Sequence, residues 1–170
     1  MLLIEPNVFF DARGWFMETY NASYFREHGL PDTFVQDNQS QSRRGVLRGL
    51  HYQLEQPQGK LVRCTRGAIR DVAVDIRRNS PYFGQWTSAD LTADNRHMLW
   101  VPPGFAHGFA VLSDEAEVVY KCTTLWHKPS DRSLLWNDPA LGIDWGVENP
   151  DVSEKDATAK PLRDADVFES

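Results

Sequence analysis

Leu61-Val62-Arg63-Cys64-Thr65-Arg66-Gly67-Ala68-Ile69-Arg70-Asp71-Val72-Ala73-Val74-Asp75-Ile76-Arg77 decides the fold class through its period. Val62 and Cys64 alternate with charged residues. Beyond Gly67, Val72, Val74 and Ile76 alternate with Asp71, Ala73 and Asp75. Successive side chains of a strand point to opposite faces, so a period of two marks strand rather than helix. With Gly67 offering the turn, the stretch predicts a hairpin.

The same pattern recurs downstream. Met98-Leu99-Trp100-Val101 ends at the strong turn Pro102-Pro103-Gly104, and the chain resumes with Phe105, His107, Phe109 and Val111 on one strand face. From Glu117 to Thr124, Val118, Tyr120 and Cys122 share one face, and Tyr120 is expected to point inward. The best helix candidate runs from Asn21 to Gly29, with Asn21 as N-cap, Tyr24, Phe25 and His28 at helical spacing, and Gly29 as the stop. From Asn137 onward the chain is acidic and loop-like. There Ser153-Glu154-Lys155-Asp156 caps a short helix, or the tail is simply a surface extension. Strands recurring every ten residues or so predict an all-β fold, an antiparallel jelly-roll barrel with a few short peripheral helices and a cavity between its sheets. Residues 1–170 read as one domain, with 137–170 as its C-terminal loop and helix extension.

Composition agrees. The chain has 170 residues, 41% of them hydrophobic, enough for one core. Its 12% aromatic content, ten prolines and eleven glycines suit strands and tight turns. The apolar start Met1 to Pro6 is too short for a signal sequence and no later stretch spans a bilayer, so a soluble, cytoplasmic protein is expected. Cys64 and Cys122 have no near partner, which predicts reduced packing residues rather than a disulfide or zinc framework. A net charge of −6 argues against general affinity for nucleic acid or anionic membrane. The charge is uneven, however. Nine of the eighteen basic residues lie between Arg43 and Arg78, against Glu55, Asp71 and Asp75. That segment either faces a small anion or supplies the outward positions of strands.

The densest chemistry lies in Gly45-Val46-Leu47-Arg48-Gly49-Leu50-His51-Tyr52-Gln53 and the following Gln58-Gly59-Lys60-Leu61-Val62. Cupin barrels often hold a metal through two histidines one residue apart, a third histidine and a glutamate. Here Gln53 stands where the second histidine belongs. The five histidines, His28, His51, His97, His107 and His127, form no His-x-His or His-x-x-x-His pair, which disfavours a metal site. A histidine without metal still serves as a general base near neutral pH, given an orienting partner, an acid across the substrate and a charge stabiliser.

Phe10-Asp11-Ala12-Arg13-Gly14, Phe34-Val35-Gln36-Asp37-Asn38, Leu47-Arg48-Gly49-Leu50-His51, Pro103-Gly104-Phe105-Ala106-His107-Gly108-Phe109 and Trp136-Asn137-Asp138-Pro139 resemble, in order, the dTDP-4-dehydrorhamnose 3,5-epimerase family. The resemblance runs from Ile4 to Pro161. It implies a jelly-roll homodimer that inverts C3 and C5 of dTDP-4-dehydro-6-deoxy-D-glucose on the path to dTDP-L-rhamnose. Both carbons flank the C4 ketone, which takes up the electrons of a departing proton, so no cofactor is implied.

By the same resemblance His51 is the base, Asp156 the carboxylate that orients it, Tyr120 the acid on the opposite face, and Lys60 the residue that meets the C4 oxygen. Arg13, Glu18, Gln36, Asp37, Asn38 and Arg48 match positions that contact nucleotide and sugar, and His107, Asp131 and Lys155 match further binding positions. Two departures stand out. Trp126 occupies the place where a tyrosine stacks on thymine, and an indole stacks as well. Asp131 replaces the usual glutamate and is one methylene shorter.

Taken alone, each residue has a plainer reading: His107 and Tyr120 as core side chains, Trp126 as packing, Asp156 as a cap. Strict alternation also puts Arg48 and His51 on opposite faces, which a bulge at Gly49 would reconcile. Three other functions share parts of this pattern: a 3-only or 5-only dTDP-keto-sugar epimerase, a metal-dependent cupin, and a non-catalytic sugar-nucleotide-binding module.

Overall fold

The computed structural model describes residues 1–169. In chain order the elements are β1 (Leu2–Ile4), β2 (Val8–Asp11), β3 (Gly14–Met17), α1 (Ala22–Glu27), β4 (Gln36–Arg43), β5 (Leu47–Gln53), β6 (Lys60–Arg66), β7 (Ala68–Asp75), β8 (Trp86–Thr92), β9 (Met98–Val101), β10 (Phe105–Val111), β11 (Glu115–Cys122), β12 (Asp131–Ser133) and α2 (Glu154–Ala157). Two antiparallel five-stranded sheets, ordered β1-β9-β6-β11-β4 and β12-β5-β10-β7-β8, stack as the predicted jelly roll, and β2–β3 forms a separate hairpin.

The predicted strands are present, but the predicted hairpin over Leu61–Arg77 is not. β6 and β7 belong to different sheets, and Gly67 turns the chain from one layer to the other. Gly67 has φ +75°, and a Cβ there would collide with the Glu115 carbonyl, so the corner takes glycine. Alternation could not separate these cases, because it sorts side chains by face whichever strand lies alongside. It also understated burial: Val72, Ala73, Val74 and Asp75 are all buried, since β7 is covered on both faces.

Three cores account for that coverage. Val62, Cys64, Ile69, Ala73, Leu91, Leu99, Phe109, Val111 and Val118 fill the space between the sheets. On the outside of the first sheet, α1 delivers Phe25 onto Leu61, Met98 and Trp100. The Asn21 side chain caps this helix by accepting from the N–H groups of Ser23 and Tyr24, as predicted. Of Tyr24, Phe25 and His28, however, only Phe25 turns inward. On the outside of the second sheet, Leu47, Leu50, Val72, Val74 and Ile76 pack under Leu134, Leu141, Trp145 and Ala165. The C-terminal tail is therefore no mere surface extension. Burying a large apolar side chain stabilises by about 1.5–3 kcal/mol, and isolated bridges Val46–Asp151, Leu134–Lys160 and Arg77–Phe168 tie the tail to the barrel.

Both cysteines are free and buried. Among the described residues, no helix is long and apolar enough to cross a membrane.

Candidate active site

β5 and β10 run antiparallel with His51 opposite His107 and Arg48 opposite Phe109. Two residues of β5, Gly49 and Leu50, thus face the single Gly108, which is a β-bulge. Gly49 has φ +124°, and a Cβ there would lie 2.5 Å from Gly108 Cα and 2.8 Å from the His107 carbonyl oxygen. The bulge resets the strand's alternation, and Arg48 and His51 both line one cavity of about 440 Å³.

Lys60 of β6, His107 of β10, Tyr120 of β11, and Lys155 and Asp156 of the tail complete its chemical wall. Asp156 comes from 105 residues downstream. Its Oδ1 lies 2.6 Å from His51 Nε2, and its Oδ2 accepts from the Gly49 N–H at 3.3 Å. The Ser153 hydroxyl accepts from the Asp156 N–H, capping α2 and fixing where the carboxylate emerges. The Asp156 side chain is 3% exposed and that of His51 35%, so the dyad presents its imidazole to the cavity and keeps its carboxylate dry. Burial raises the Asp156 carboxyl, but bonds from His51, the Gly49 N–H and Ser153 outweigh it and hold the group below its ordinary value.

Lys60 approaches the Tyr120 ring to 6.0 Å. Burial pushes the Lys60 ammonium below its usual range, while Cys122, Asp71 and Asp131 partly counter that and Lys155 adds to it. Tyr120 is raised, chiefly by burial and next by Cys122, with Arg48 opposing. It therefore keeps its proton at neutral pH and has one to donate. His107 Nε2 meets the Asp71 carboxylate at 2.8 and 3.0 Å. The Arg48 Nε–H donates to the Ser42 hydroxyl at 3.0 Å.

Other residues singled out in the sequence surround the cavity. Gln36 and Asn38 share a β4 face with Ser40, which lines it; Gln36 donates to Asn38, and its own oxygen accepts from the Trp126 N–H. The Trp126 side chain is exposed, a free platform at the end of this row. Asp37 lies on the opposite face, paired with Lys121. Lys155 Nζ lies 2.6 Å from Asp131, joining the tail to β12.

Arg13 and Glu18 do not reach the cavity. Arg13 pairs with Asp11 at the tip of the β2–β3 hairpin, and Glu18 accepts from Asn21 beside α1. Most of the basic segment faces outward in ion pairs, including Arg43–Asp151, Arg44–Asp114, Arg66–Glu115, Arg70–Asp90, Arg77–Asp75 and Arg78–Glu169. Only Arg48 and Lys60 of its nine cations line the cavity. Sequence reading missed Asp71 and Ser42, whereas Ser153 was read as the helix cap that it is. Asp71 carried one signal, a carboxylate within a valine-rich strand.

Gln53 bonds to the carbonyls of Gln56 and Leu125 and to the His127 N–H. Among the described residues, no group of three or more His, Cys, Asp and Glu side chains is placed to hold a metal ion.

A family model described as dTDP-4-dehydrorhamnose 3,5-epimerase matches residues 1–164. The dTDP-4-dehydrorhamnose 3,5-epimerase of Methanothermobacter thermautotrophicus is 55% identical over 170 residues, 98% of this chain and 92% of that protein. Its namesake from Pseudomonas aeruginosa is 55% identical over 170 residues, 99% of this chain and 94% of that one. The crystal structure of dTDP-6-deoxy-D-glucose-3,5-epimerase from Legionella pneumophila Philadelphia 1, in complex with dTDP-4-keto-L-rhamnose, matches with a TM-score of 0.93 at 50% identity, covering 96% of this chain and 88% of that one. With motifs, fold and likeness in agreement, the chain belongs to the dTDP-4-dehydrorhamnose 3,5-epimerase family of sugar-nucleotide isomerases.

Proposed function

We propose that the chain converts dTDP-4-dehydro-6-deoxy-α-D-glucose to dTDP-4-dehydro-β-L-rhamnose by removing and returning protons at C3 and C5. The observation that carries this reading is the His51–Asp156 dyad at 2.6 Å in a cavity that Lys60 and Tyr120 also line. In each half-reaction His51 Nδ1, the ring nitrogen not held by Asp156, takes the carbon-bound proton. The C–H electron pair moves into the ring to form the enolate, with negative charge on the C4 oxygen.

Lys60 meets that oxygen. A cation aimed at charge that exists only after proton removal lowers the barrier more than it tightens ground-state binding. Tyr120 returns a proton to the carbon from the opposite face; His51 then gives the abstracted proton to solvent and solvent re-protonates Tyr120, so both groups are reset for the next half-reaction. Two groups are needed, because a single group that returned the proton where it was taken would regenerate the substrate. The substrate's own ketone is the electron sink, so the reading calls for no cofactor.

The nucleotide occupies the row that runs from the cavity past Ser40, Asn38 and Gln36 to Trp126. Arg48 meets the diphosphate and the Trp126 indole stacks on the base. A second copy of the chain completes the site. Phe9, Phe10, Trp15 and Phe16 are all exposed on the β2–β3 hairpin, and a lone two-stranded hairpin is marginal in water. Arg13 and Glu18, which do not reach their own cavity, then serve the neighbour's.

The test is NMR of the dTDP-keto sugar with the protein in deuterated water. Deuterium at both C3 and C5 with rhamno-configured product is expected. Labelling at one carbon would assign a 3-only or 5-only epimerase, and no labelling would refute the reading.

A further inference from the structure

Among the described residues every arginine but three pairs with a carboxylate. Arg48, the first exception, lines the active cavity. The other two, Arg63 and Arg96, meet in a separate cavity of about 170 Å³. Val62 and Cys64 fill the space between the sheets, so alternation turns Arg63 and Thr65 of β6 to the outside of the first sheet. There they form one wall, Trp15 and Met17 of β3 form another, and Arg96 enters from the turn between β8 and β9. Among the described residues no carboxylate lines this cavity.

In a chain of net charge −6, two neighbouring guanidiniums without an acid do not reflect a shortage of acids. Burial alone moves Arg63, pushing its guanidinium below the ordinary value with no partner to offset it. Arg96 is fixed more firmly. Its guanidinium stacks 4.7 Å from the Trp15 ring centre and 5.6 Å from that of Phe10, and its Nη1 donates to the Asp94 carbonyl at 2.6 Å. Its Nε is buried with no hydrogen-bond partner. A buried charge without a counter-charge and a buried donor without an acceptor are both costly, so packing alone gives no reason for the pair.

The group that would satisfy both is an anion. Arginine presents a planar fork of N–H donors that fits the oxygens of a phosphate. We propose that this cavity is an anion-binding site that takes one inorganic phosphate, or an oxyanion of that size, between Arg63 and Arg96. Its volume is well under half the 440 Å³ of the active cavity, which excludes a second nucleotide sugar. No residue lines both cavities, so the site stands apart from the epimerase reading. The bound anion neutralises the pair and bridges β6 to the β2–β3 hairpin, which is marginal in water on its own.

The experiment is calorimetric titration of inorganic phosphate into the full chain saturated with dTDP, so that the active cavity is already filled, in wild type, Arg63→Gln and Arg96→Lys. Wild type should bind one phosphate per chain. Hydrogen bonds between charged groups are worth a factor of roughly ten to a hundred, and Arg63→Gln should weaken phosphate binding by about that much. Phosphate should also raise the Tm of wild type more than that of Arg63→Gln. Without phosphate the variant should melt no lower than wild type, because it gives up an unpaired charge and no protein contact.

Absence of phosphate binding beside dTDP, or equal affinity in wild type and Arg63→Gln, would overturn the proposal. So would an Arg63→Gln chain whose copies separate in sedimentation whether or not phosphate is present, which would assign Arg63 to a carboxylate of a second copy. Should Arg63→Gln fail to fold, Arg96→Lys still decides: it keeps a cation over Trp15 but removes the buried Nε–H and the fork, and the same loss of phosphate is expected. If dTDP itself fails to bind, the nucleotide reading of the active cavity falls, while the difference in phosphate affinity between wild type and the two variants still judges this one.

Discussion

Substituting Gly49 by alanine tests whether the β5 bulge builds the site. At φ +124° a Cβ would come within 2.5 Å of Gly108 Cα and 2.8 Å of the His107 carbonyl oxygen. Both are backbone atoms, so no rotamer change relieves the contact, and β10 must move away from β5. Gly14 provides a matched control, with φ +134° and open space where a Cβ would stand, no atom lying within 4 Å. Both variants carry the strain of a side chain at positive φ, roughly 1–2 kcal/mol. Only Gly49→Ala adds overpacking, about 1–3 kcal/mol. Taking about 2 kcal/mol as the difference, thermal unfolding should place Gly49→Ala roughly 4–8 °C below Gly14→Ala. Since Gly49 also donates to Asp156 and β10 carries His107, turnover should fall in Gly49→Ala. Equal melting temperatures would refute the close approach, and full turnover in Gly49→Ala would refute its bearing on the site.

Three further outcomes follow from the geometry. Trp126→Ala should weaken dTDP binding about tenfold by calorimetry, the stacking share of base recognition, whereas Trp126→Tyr should bind nearly as wild type; an unaffected alanine variant would remove Trp126 from the nucleotide row. Tyr120→Phe should still exchange substrate protons with deuterated solvent but complete inversion poorly, and parallel loss of both would contradict its role as the opposing acid. Asp156 is held below its ordinary 3.8, so its contribution to stability is present above that value and is lost as pH falls through the folded-state value. On acidification below about pH 4, Asp156→Asn should therefore lose less Tm than wild type, and parallel curves would contradict the hold on the carboxylate.

Strand positions were legible because their apolar residues alternate, and the short helix because Asn21 and Gly29 mark its ends. Which strands pair was less legible. Gly67 serves a hairpin or a change of sheet equally well, and only the partner strands distinguish them. The tail was the hardest part. Leu141, Trp145 and Ala165 reach the outer core from irregular segments with no period to reveal them. Asp156 looked like a cap because it does sit at the start of a short helix; its bond to His51 depends on how the tail crosses the second sheet. The conflict between Arg48 and His51 was visible in the sequence, and the bulge at Gly49 resolved it. Asp71 passed as an ordinary alternating position because its partner, His107, is distant in sequence and adjacent only across β7 and β10.

The central claim is that His51, oriented by Asp156, removes the carbon-bound proton. The most direct measurement is deuterium wash-in at C3 and C5 of the dTDP-keto sugar by wild type and His51→Asn, with dTDP affinity measured on both. Wild type should label both carbons. His51→Asn should bind dTDP nearly as well and label neither at a rate within about 10²–10⁴-fold of wild type; labelling at the wild-type rate would contradict the account.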